Sequence, residues 1–355
     1  MPGLHIGAAR ARADISDTAL RHRDPQENAP VQTLPPPLDR LRLPAIVAPK
    51  FLTSTPDLVV AACRSGLLGA FPALNHRTSD GFEAWLTEIQ TYLADSPDAA
   101  PYAVYLIVPK TNPRLAADFD IVVRHKVPVV ITGFGASPEV VEAVQSYGGI
   151  VFHDVATRGH AEKVARSGVD GLIALGAGAG GHMGHLSPYA AVAEIRKVYD
   201  GLLILAGAMS TGADIVAARA MGADMACMGT RFIATSETEV SQAQKDIMVA
   251  VGASDVVVTP NLTGGQATFL RPSLRAAGVD PDAIPPVGGP DATLESRASR
   301  DIWWAGQGVG AIGDVPNMAQ LCDRLVGEYR EAVRRIAIDP VAADGAVMTR
   351  RSGSG

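Results

Sequence analysis

The chain has 355 residues, of which 47% are hydrophobic and 19% charged, with a formal net charge of −6 at pH 7. This length supports a large core without disulfides, and the acidic balance argues against a nucleic-acid or membrane-surface partner. Only three cysteines occur, far apart in the chain, which excludes a disulfide scaffold and favours a cytoplasmic location.

Two end segments have no hydrophobic periodicity. Residues 1–40 contain several arginines and a proline run, and they predict an N-terminal arm that is disordered or docked on the fold. Their start lacks the apolar stretch of a secretory signal, and no apolar run in the chain reaches the ~18 residues of a membrane span. Residues 341–355 predict a flexible tail.

Between these ends, short apolar runs alternate with amphipathic stretches. Apolar runs of this kind are typical of parallel strands covered on both faces. The predicted strands are 45–48, 67–71, 102–108, 128–132, 150–154, 171–175, 202–206 and 224–228. The predicted helices are 56–65, 80–94, 113–126, 138–147, 158–167, 188–199, 211–221 and 238–251.

Eight strand–helix units in sequence predict an α/β fold, a (β/α)8 TIM barrel over residues 41–252. The alternative is an open, doubly wound sheet. Residues 253–340 predict an excursion and a C-terminal helix packed on the barrel. Residues 253–316 break the rhythm with many prolines and a Trp-Trp pair, and they predict an irregular excursion that folds back over the barrel mouth. Residues 317–336 then predict an amphipathic closing helix.

The most unusual motif is a glycine-rich stretch, residues 176–185, directly after the sixth predicted strand. Glycines let the backbone approach a flat ring or a phosphate closely. His182 lies among them, on a loop that faces the end of a barrel where enzymes of this fold do their chemistry. The alternatives are an ordinary flexible turn and a metal pair made by His182 and His185.

Glycine turns also follow the seventh and eighth predicted strands. They contain Gly207 and the run Met228-Gly229-Thr230. Because these two loops hold a phosphate in many barrels, Gly207, Gly229 and the Thr230 hydroxyl predict phosphate binding. No glycine fingerprint of a dinucleotide-binding fold follows the first strand.

Other candidates lie at strand ends. The run Ala48-Pro49-Lys50 ends the first strand, so Lys50 either faces an anionic ring or substrate, or is a solvated lysine. His153 and Asp154 end the fifth strand and are either a base and its partner or a structural pair. Tyr105 on the third strand either donates a hydrogen bond to a ligand or packs in the core.

With these motifs in this order, the chain resembles the nitronate monooxygenase family, formerly 2-nitropropane dioxygenases. The matching runs are Ala48-Pro49, 179–184 (AGGHMG), Ser187-Pro188, Gly207, 228–235 (MGTRFIAT) and 305–310 (AGQGVG). The resemblance covers residues 42–335. It implies an FMN-dependent (β/α)8 barrel that oxidises a small nitronate or a similar anionic carbon acid with O2.

The resemblance also implies roles for individual residues. His182 matches the active-site histidine, which acts as a base or orients the substrate. The implied cofactor contacts are Ala48, Pro49, Lys50, Tyr105, Asp154, Gly181, Gly207, Met228, Gly229 and Thr230. No resident metal is implied, and assembly of identical subunits is left open.

Four positions depart from the family pattern. The family usually carries methionine at Lys50 and asparagine at Tyr105, and often a small residue and threonine at Met183 and His185. These changes leave three alternatives open. They are a specialised flavin oxidase or oxygenase with another substrate, an NAD(P)H-dependent FMN enoyl-thioester reductase, and a phosphate-binding barrel without flavin.

Overall fold

The computed structural model describes residues 34–109, 111–285 and 302–337. The predictions made for residues 1–33 and 341–355 lie outside this part of the chain. Eight parallel strands form a closed barrel in the order β1-β2-β3-β4-β5-β6-β8-β9, and each is followed by a helix. The (β/α)8 fold is therefore confirmed.

The barrel strands follow the predicted runs to within a residue or two. They are β1 (Ala45–Val47), β2 (Leu68–Pro72), β3 (Tyr102–Ile107), β4 (Val129–Gly133), β5 (Ile150–Val155), β6 (Gly171–Leu175), β8 (Leu202–Ala206) and β9 (Met225–Met228). Closure comes from pairing of β1 with β9, in the register Ile46 opposite Cys227.

The helices surround the barrel. They are α1 (Pro56–Arg64), α2 (Ser79–Ala94), α3 (Leu115–Arg124), α4 (Pro138–Ser146), α5 (Arg158–Ala165), α6 (Pro188–Arg196), α7 (Gly212–Ala220) and α8 (Gln242–Ala250), followed by α9 (Arg271–Ala276) and α10 (Met318–Ala337). Several begin at Ser or Thr caps, as at Ser187 before α6, where the hydroxyl accepts the Ala190 N–H. Helix α10 confirms the predicted closing helix and packs on α7 and α1.

Alternate strand residues point to opposite faces and so create two cores. The inner core fills the barrel with side chains such as Ile46, Ile131, Phe152 and Ile204. The outer core lies between the strands and the helices. Leu38 is fully buried and packs against the inner core.

The excursion after α8 is less irregular than the composition suggests. Strands β10 (Val256–Thr259) and β11 (Ala267–Leu270) pair antiparallel, and β11 also pairs with the two-residue strand β7 (Gly181–His182). These strands within the excursion were not predicted. Val256–Thr259 is a β-branched run that favours a strand, but the prolines and glycines around it indicate a loop.

Candidate active site

Most of the candidate residues meet at one end of the barrel. The strands are parallel, so all their carboxyl ends open on the same face, which we call the mouth. Ala48–Lys50 follow β1, Tyr105 lies near the end of β3, and Asp154 lies near the end of β5. Gly207 and Gly229 follow β8 and β9.

The glycine-rich loop after β6 is fastened to β11 by one buried threonine. The Gly181 N–H donates to Thr268 Oγ1 at 3.0 Å, and Thr268 Oγ1 donates to the Ala179 carbonyl at 3.2 Å. Thr268 is fully buried. Gly181 adopts φ +81°, a left-handed conformation that glycine tolerates best. The loop is thus a fixed platform rather than a flexible turn.

His182 extends from this platform as the second residue of β7, with its backbone opposite Ala267. Its half-buried ring meets Trp304 edge-on, with ring centroids 5.6 Å apart, and Phe134 at 5.9 Å. A side chain at Gly265 would come within 3.3 Å of the imidazole. Two aromatic rings and a glycine therefore fix the orientation of His182.

A second glycine turn covers the platform from the C-terminal part of the chain. The Gly306 N–H donates to Thr230 Oγ1 at 2.8 Å. A Cβ at Gly306 would lie 2.5 Å from the Gly178 carbonyl oxygen, so only glycine fits there. The Thr230 hydroxyl has accepted one bond and keeps its own hydrogen for another acceptor.

Lys50 lies beside the turn after β9. Its side chain carbons would lie 3.8–3.9 Å from a Cβ at Gly229, and its Nζ donates to the Ala48 carbonyl at 3.0 Å. No carboxylate among the described residues forms an ion pair with it. Burial lowers the pKa of the Lys50 ammonium to about 7.

The backbone around Lys50 is held by Asn75. The Asn75 amide donates to the carbonyls of Lys50 at 3.0 Å and Ser54 at 2.8 Å, and its oxygen accepts the Leu52 N–H at 3.0 Å. The Lys50 N–H donates to Ser54 Oγ at 3.1 Å. The loop after β1 is therefore rigidly placed at the mouth.

Tyr105, Asp154 and Cys227 lie inside the barrel below the mouth. The Tyr105 hydroxyl lies where a Cβ of Gly133 would be, so Gly133 leaves room for it. Burial raises the pKa of Asp154 to about 7, and a hydrogen bond with Tyr105 opposes this rise. Burial also raises the pKa of the Cys227 thiol to about 12, with Asp154 raising and Lys50 lowering it.

Two candidates face away from the mouth. His153 is buried in the helix layer, where its Nδ1 lies 2.7 Å from Thr132 Oγ1 and its ring meets His160 edge-on at 5.6 Å. It is not paired with Asp154, because neighbouring strand residues point to opposite faces. The Met228 side chain packs in the outer core, and its carbonyl accepts the Ala48 N–H at 2.9 Å. Only the backbone of Met228 can therefore contact a ligand at the mouth.

The start of α7 offers no anion site. The Asp214 carboxylate accepts the N–H groups of Ser210 and Thr211, each at 2.8 Å. The Glu328 carboxylate from α10 accepts the Gly212 N–H at 2.7 Å. These two carboxylates already complement the positive end of the helix.

The turn after β9 is free to bind a phosphate. The 3-10 turn Thr230–Ile233 begins after Gly229 without a side-chain cap. No hydrogen bond among the described residues uses the N–H groups of Gly229 or Thr230. Two N–H groups and one hydroxyl hydrogen are suited to bind a phosphate group.

A sequence profile of the nitronate monooxygenase family matches residues 41–328. The chain belongs to this family. Among its relatives, the nitronate monooxygenase of Paraburkholderia phytofirmans is 26% identical over 353 residues, covering 84% of this chain and 96% of the relative. Rv1533 of Mycobacterium tuberculosis, whose name proposes a monooxygenase, is 31% identical over 61% of this chain and 63% of the relative.

A further relative is named for thioester chemistry. It is the (3aS,4S,5R,7aS)-5-hydroxy-7a-methyl-1-oxo-octahydro-1H-indene-4-carboxyl-CoA dehydrogenase of Rhodococcus jostii, which is 27% identical over 62% of this chain and 60% of the relative. Members of the nitronate monooxygenase family are flavin-dependent oxidoreductases, so this chain is a flavin-dependent oxidoreductase.

Solved structures share the fold. FabK from Thermotoga maritima superposes with a TM-score of 0.70 at 25% identity, over 84% of this chain and 96% of that one. The nitroalkane oxidase of Streptomyces ansochromogenes gives 0.72 at 24% identity, over 84% and 99%. In the described part of this chain, no helix is long and apolar enough to cross a membrane, and no group of three or more His, Cys, Asp or Glu could hold a metal.

Several residues of the site were not predicted from the sequence. Asn75 and Thr268 act through backbone hydrogen bonds to distant loops, for which one sequence carries no pattern. Cys227 could have been found, because strand alternation turns it inward when Met228 faces outward. Phe134 follows β4 at the mouth and contacts His182, yet it reads as an ordinary apolar residue.

Proposed function

We propose that this chain is an FMN-dependent oxidoreductase that oxidises a small nitronate or a similar anionic carbon acid with O2. The observation that carries the proposal is the placement of His182 at the barrel mouth, held by the platform and facing the same opening as Lys50 and the free turn after β9. Family membership sets aside the alternative of a barrel without flavin.

Different residues of the chain would bind the phosphate end and the ring end of the cofactor. The Gly229 and Thr230 N–H groups and the Thr230 hydroxyl would hold the phosphate. Gly207, with φ +139°, and the backbone of Met228 would line the connecting part, and Ala48, Pro49 and Gly181 the ring. When bound, the flavin accepts electrons from the substrate carbon and passes them to oxygen.

His182 would hold or accept the substrate proton. An imidazole exchanges protons near neutral pH, which suits the removal of a proton from an acidic carbon. The edges of Phe134 and Trp304 limit rotation of the ring and exclude water from two of its sides. A base fixed in this way needs no reorganisation when the substrate arrives.

Lys50 would hold the negative charge of the substrate. Its ammonium has one described partner, the Ala48 carbonyl, and so keeps donors for a ligand. Tyr105 and Asp154 form the inner wall below it, where the buried carboxyl group is protonated more readily than in water. An anionic substrate would strengthen the charged form of Lys50.

The test is His182→Asn in the FMN-loaded enzyme. We expect FMN to stay bound and anaerobic flavin reduction by ethyl nitronate to slow by about 100-fold, within the range for loss of a general base. His185→Asn is the matched control, because that exposed histidine lies on the same loop and should leave the rate unchanged. Wild-type reduction rates in the His182 variant would remove this residue from the mechanism.

A second candidate is an NAD(P)H-dependent FMN reductase of an enoyl thioester. The observation in its favour is the relative whose name specifies a carboxyl-CoA substrate. Rapid anaerobic bleaching of the flavin by NADPH, without reduction by nitronates, would select this candidate. Purified protein that neither contains nor takes up FMN would contradict both.

We also propose a cytoplasmic location. It is supported by Cys63, Cys227 and Cys322, all free and buried. The proposed partners are the small-molecule substrate and O2, with neither nucleic acid nor membrane, and the number of subunits stays open.

A further inference from the structure

Three large apolar side chains are exposed around the mouth. Phe51 and Leu52, in the loop after β1, are 42% and 43% exposed, and Phe134, directly after β4, is 60% exposed. We call these three residues the apolar rim. A polar side chain at each position would be better hydrated, so exposure of three large apolar groups around one opening points to a ligand.

Two members of the rim also have unfavourable backbone conformations. Leu52 has φ +57° and Phe134 has φ +65°, in the left-handed region that glycine or asparagine occupies at less cost. For other residues this conformation is unfavourable, because the side chain crowds the backbone. Neither side chain recovers this cost by burial in the fold. Strain of this kind concentrates at functional sites.

The rim is fixed next to the catalytic groups. The Leu52 N–H is bonded to Asn75, which also holds the carbonyl of Lys50. Phe134 meets the His182 ring edge-on, with centroids 5.9 Å apart. Loops after β1 and β4 lie on different sides of an eight-stranded mouth, so the rim borders the opening on two sides.

This continuity with the active site favours a substrate over a partner protein as the occupant. We propose that the barrel mouth binds an amphiphilic carbon acid, whose charged head lies at Lys50 and His182 and whose apolar body spreads over Phe51, Leu52 and Phe134. The inference rests on the proposed function for the position of the reacting carbon, and it adds that the natural substrate is larger and more apolar than a short nitroalkane.

The test uses unreactive ligands on the FMN-loaded enzyme. Straight-chain carboxylates from acetate to decanoate are titrated, and the dissociation constant is measured from the change in flavin absorbance. Full burial of a methylene contributes about 0.8 kcal/mol, a factor of about four. Because the rim covers only one side of the ligand's alkyl chain, we expect the dissociation constant to fall about twofold for each added methylene.

Two variants locate the effect. Leu52→Asn and Phe134→Asn remove apolar surface while keeping a residue that tolerates the left-handed backbone. We expect each to reduce the gain in affinity per methylene. Val333→Asn is the matched control, because Val333 on α10 is also 43% exposed and lies away from the mouth. Urea unfolding should show that both rim variants are at least as stable as the wild type.

Equal affinity for acetate and octanoate would overturn the proposal, as would the absence of carboxylate binding at any length. An unchanged gain per methylene in both rim variants would also overturn it. Reduction of the flavin by ethyl nitronate is measured in parallel. If ethyl nitronate reduces the flavin but carboxylate affinity does not depend on chain length, the proposed function stands and only the amphiphilic substrate is excluded.

Discussion

At the scale of single residues, Lys50 is the position where this chain differs most in chemistry from the usual family pattern. The Lys50 ammonium, with a pKa of about 7, lies beside a turn with free N–H groups. Together they create a positive site that a methionine cannot provide. The site is electrostatic and depends on pH in the physiological range. Under the proposed function, Lys50 would therefore make binding of an anionic substrate depend on pH.

Lys50→Met tests this link. The pKa of Lys50 is about 7, so the group is charged below pH 7 and loses its charge above it. We expect butyrate to bind the wild-type holoenzyme more weakly as pH rises from 6 to 8.5. Lys50→Met should bind about tenfold more weakly at pH 6, since hydrogen bonds to charged groups contribute about 1.5–3 kcal/mol, and should show no such trend.

Two further variants identify the titrating group. Lys50→Arg keeps its charge over the whole range and should bind butyrate equally well at pH 6 and 8.5. If the trend disappears in Asp154→Asn and persists in Lys50→Met, the buried carboxyl group is responsible and the assignment to Lys50 is wrong.

At the scale of elements, the small sheet of β10, β11 and β7 determines where His182 lies. Only two residues of the glycine loop pair with β11, and Thr268 adds the hydrogen bonds that hold the rest. Without this sheet the loop would keep the hydrogen bonds that Ala208 and Gln307 donate to the Gly178 carbonyl, but His182 would lose its pairing with Ala267. The position of the imidazole is therefore a property of an element far away in sequence.

Thr268→Val should loosen this element without changing its volume. The substitution leaves the Gly181 N–H and the Ala179 carbonyl unpaired, at about 1–3 kcal/mol each. We expect faster hydrogen exchange in residues 179–184 and roughly tenfold slower flavin reduction by ethyl nitronate, with FMN still bound.

Thr268→Ser is the control for this element, because it keeps the hydroxyl and should restore wild-type exchange and rate. Equal exchange protection of the loop in the valine variant and the wild type would show that the strand pairing alone holds His182.

At the scale of the whole molecule, pH changes stability through two neighbouring residues in opposite directions. Burial and the nearby His160 lower the pKa of His153 from 6.5 to about 4. The Thr132 hydroxyl donates to the Phe152 carbonyl, so His153 Nδ1 carries the proton and donates to Thr132. A second proton would go to Nε2, which is buried and has no partner among the described residues.

The stability that His153 contributes is present above pH 6.5 and is lost as pH falls through about 4, because the unfolded chain binds the proton more readily. The shift corresponds to about 3 kcal/mol. In urea unfolding, wild-type stability should fall between pH 6.5 and 4.5 by more than that of His153→Asn, whose amide can still donate to Thr132.

The contribution of Asp154 to stability depends on pH in the opposite direction. Its raised pKa favours the folded state at low pH, and this contribution is lost as pH rises through about 7. Asp154→Asn should therefore gain stability relative to the wild type between pH 5 and 8. Parallel pH profiles for both variants and the wild type would contradict the pKa values of both groups.

The sequence predicted the barrel well because its signal is local. Apolar runs and helical stretches alternate eight times, and each repeat predicts one strand and one helix. Because the strands were predicted correctly, the positions of Lys50 and Asp154 at strand ends could also be predicted. Pairing of β11 with β7 could not be predicted, since it joins residues more than 80 positions apart through two hydrogen-bonded positions.

The order in which the chain is synthesised gives the β7–β11 pairing a consequence for assembly. All eight barrel strands are synthesised before residues 267–270, so the barrel and the turn after β9 can form while β7 still lacks its partner strand. Under the proposed function, His182 would therefore be positioned last, and a chain that ends before residue 267 would have the proposed phosphate turn without a positioned base.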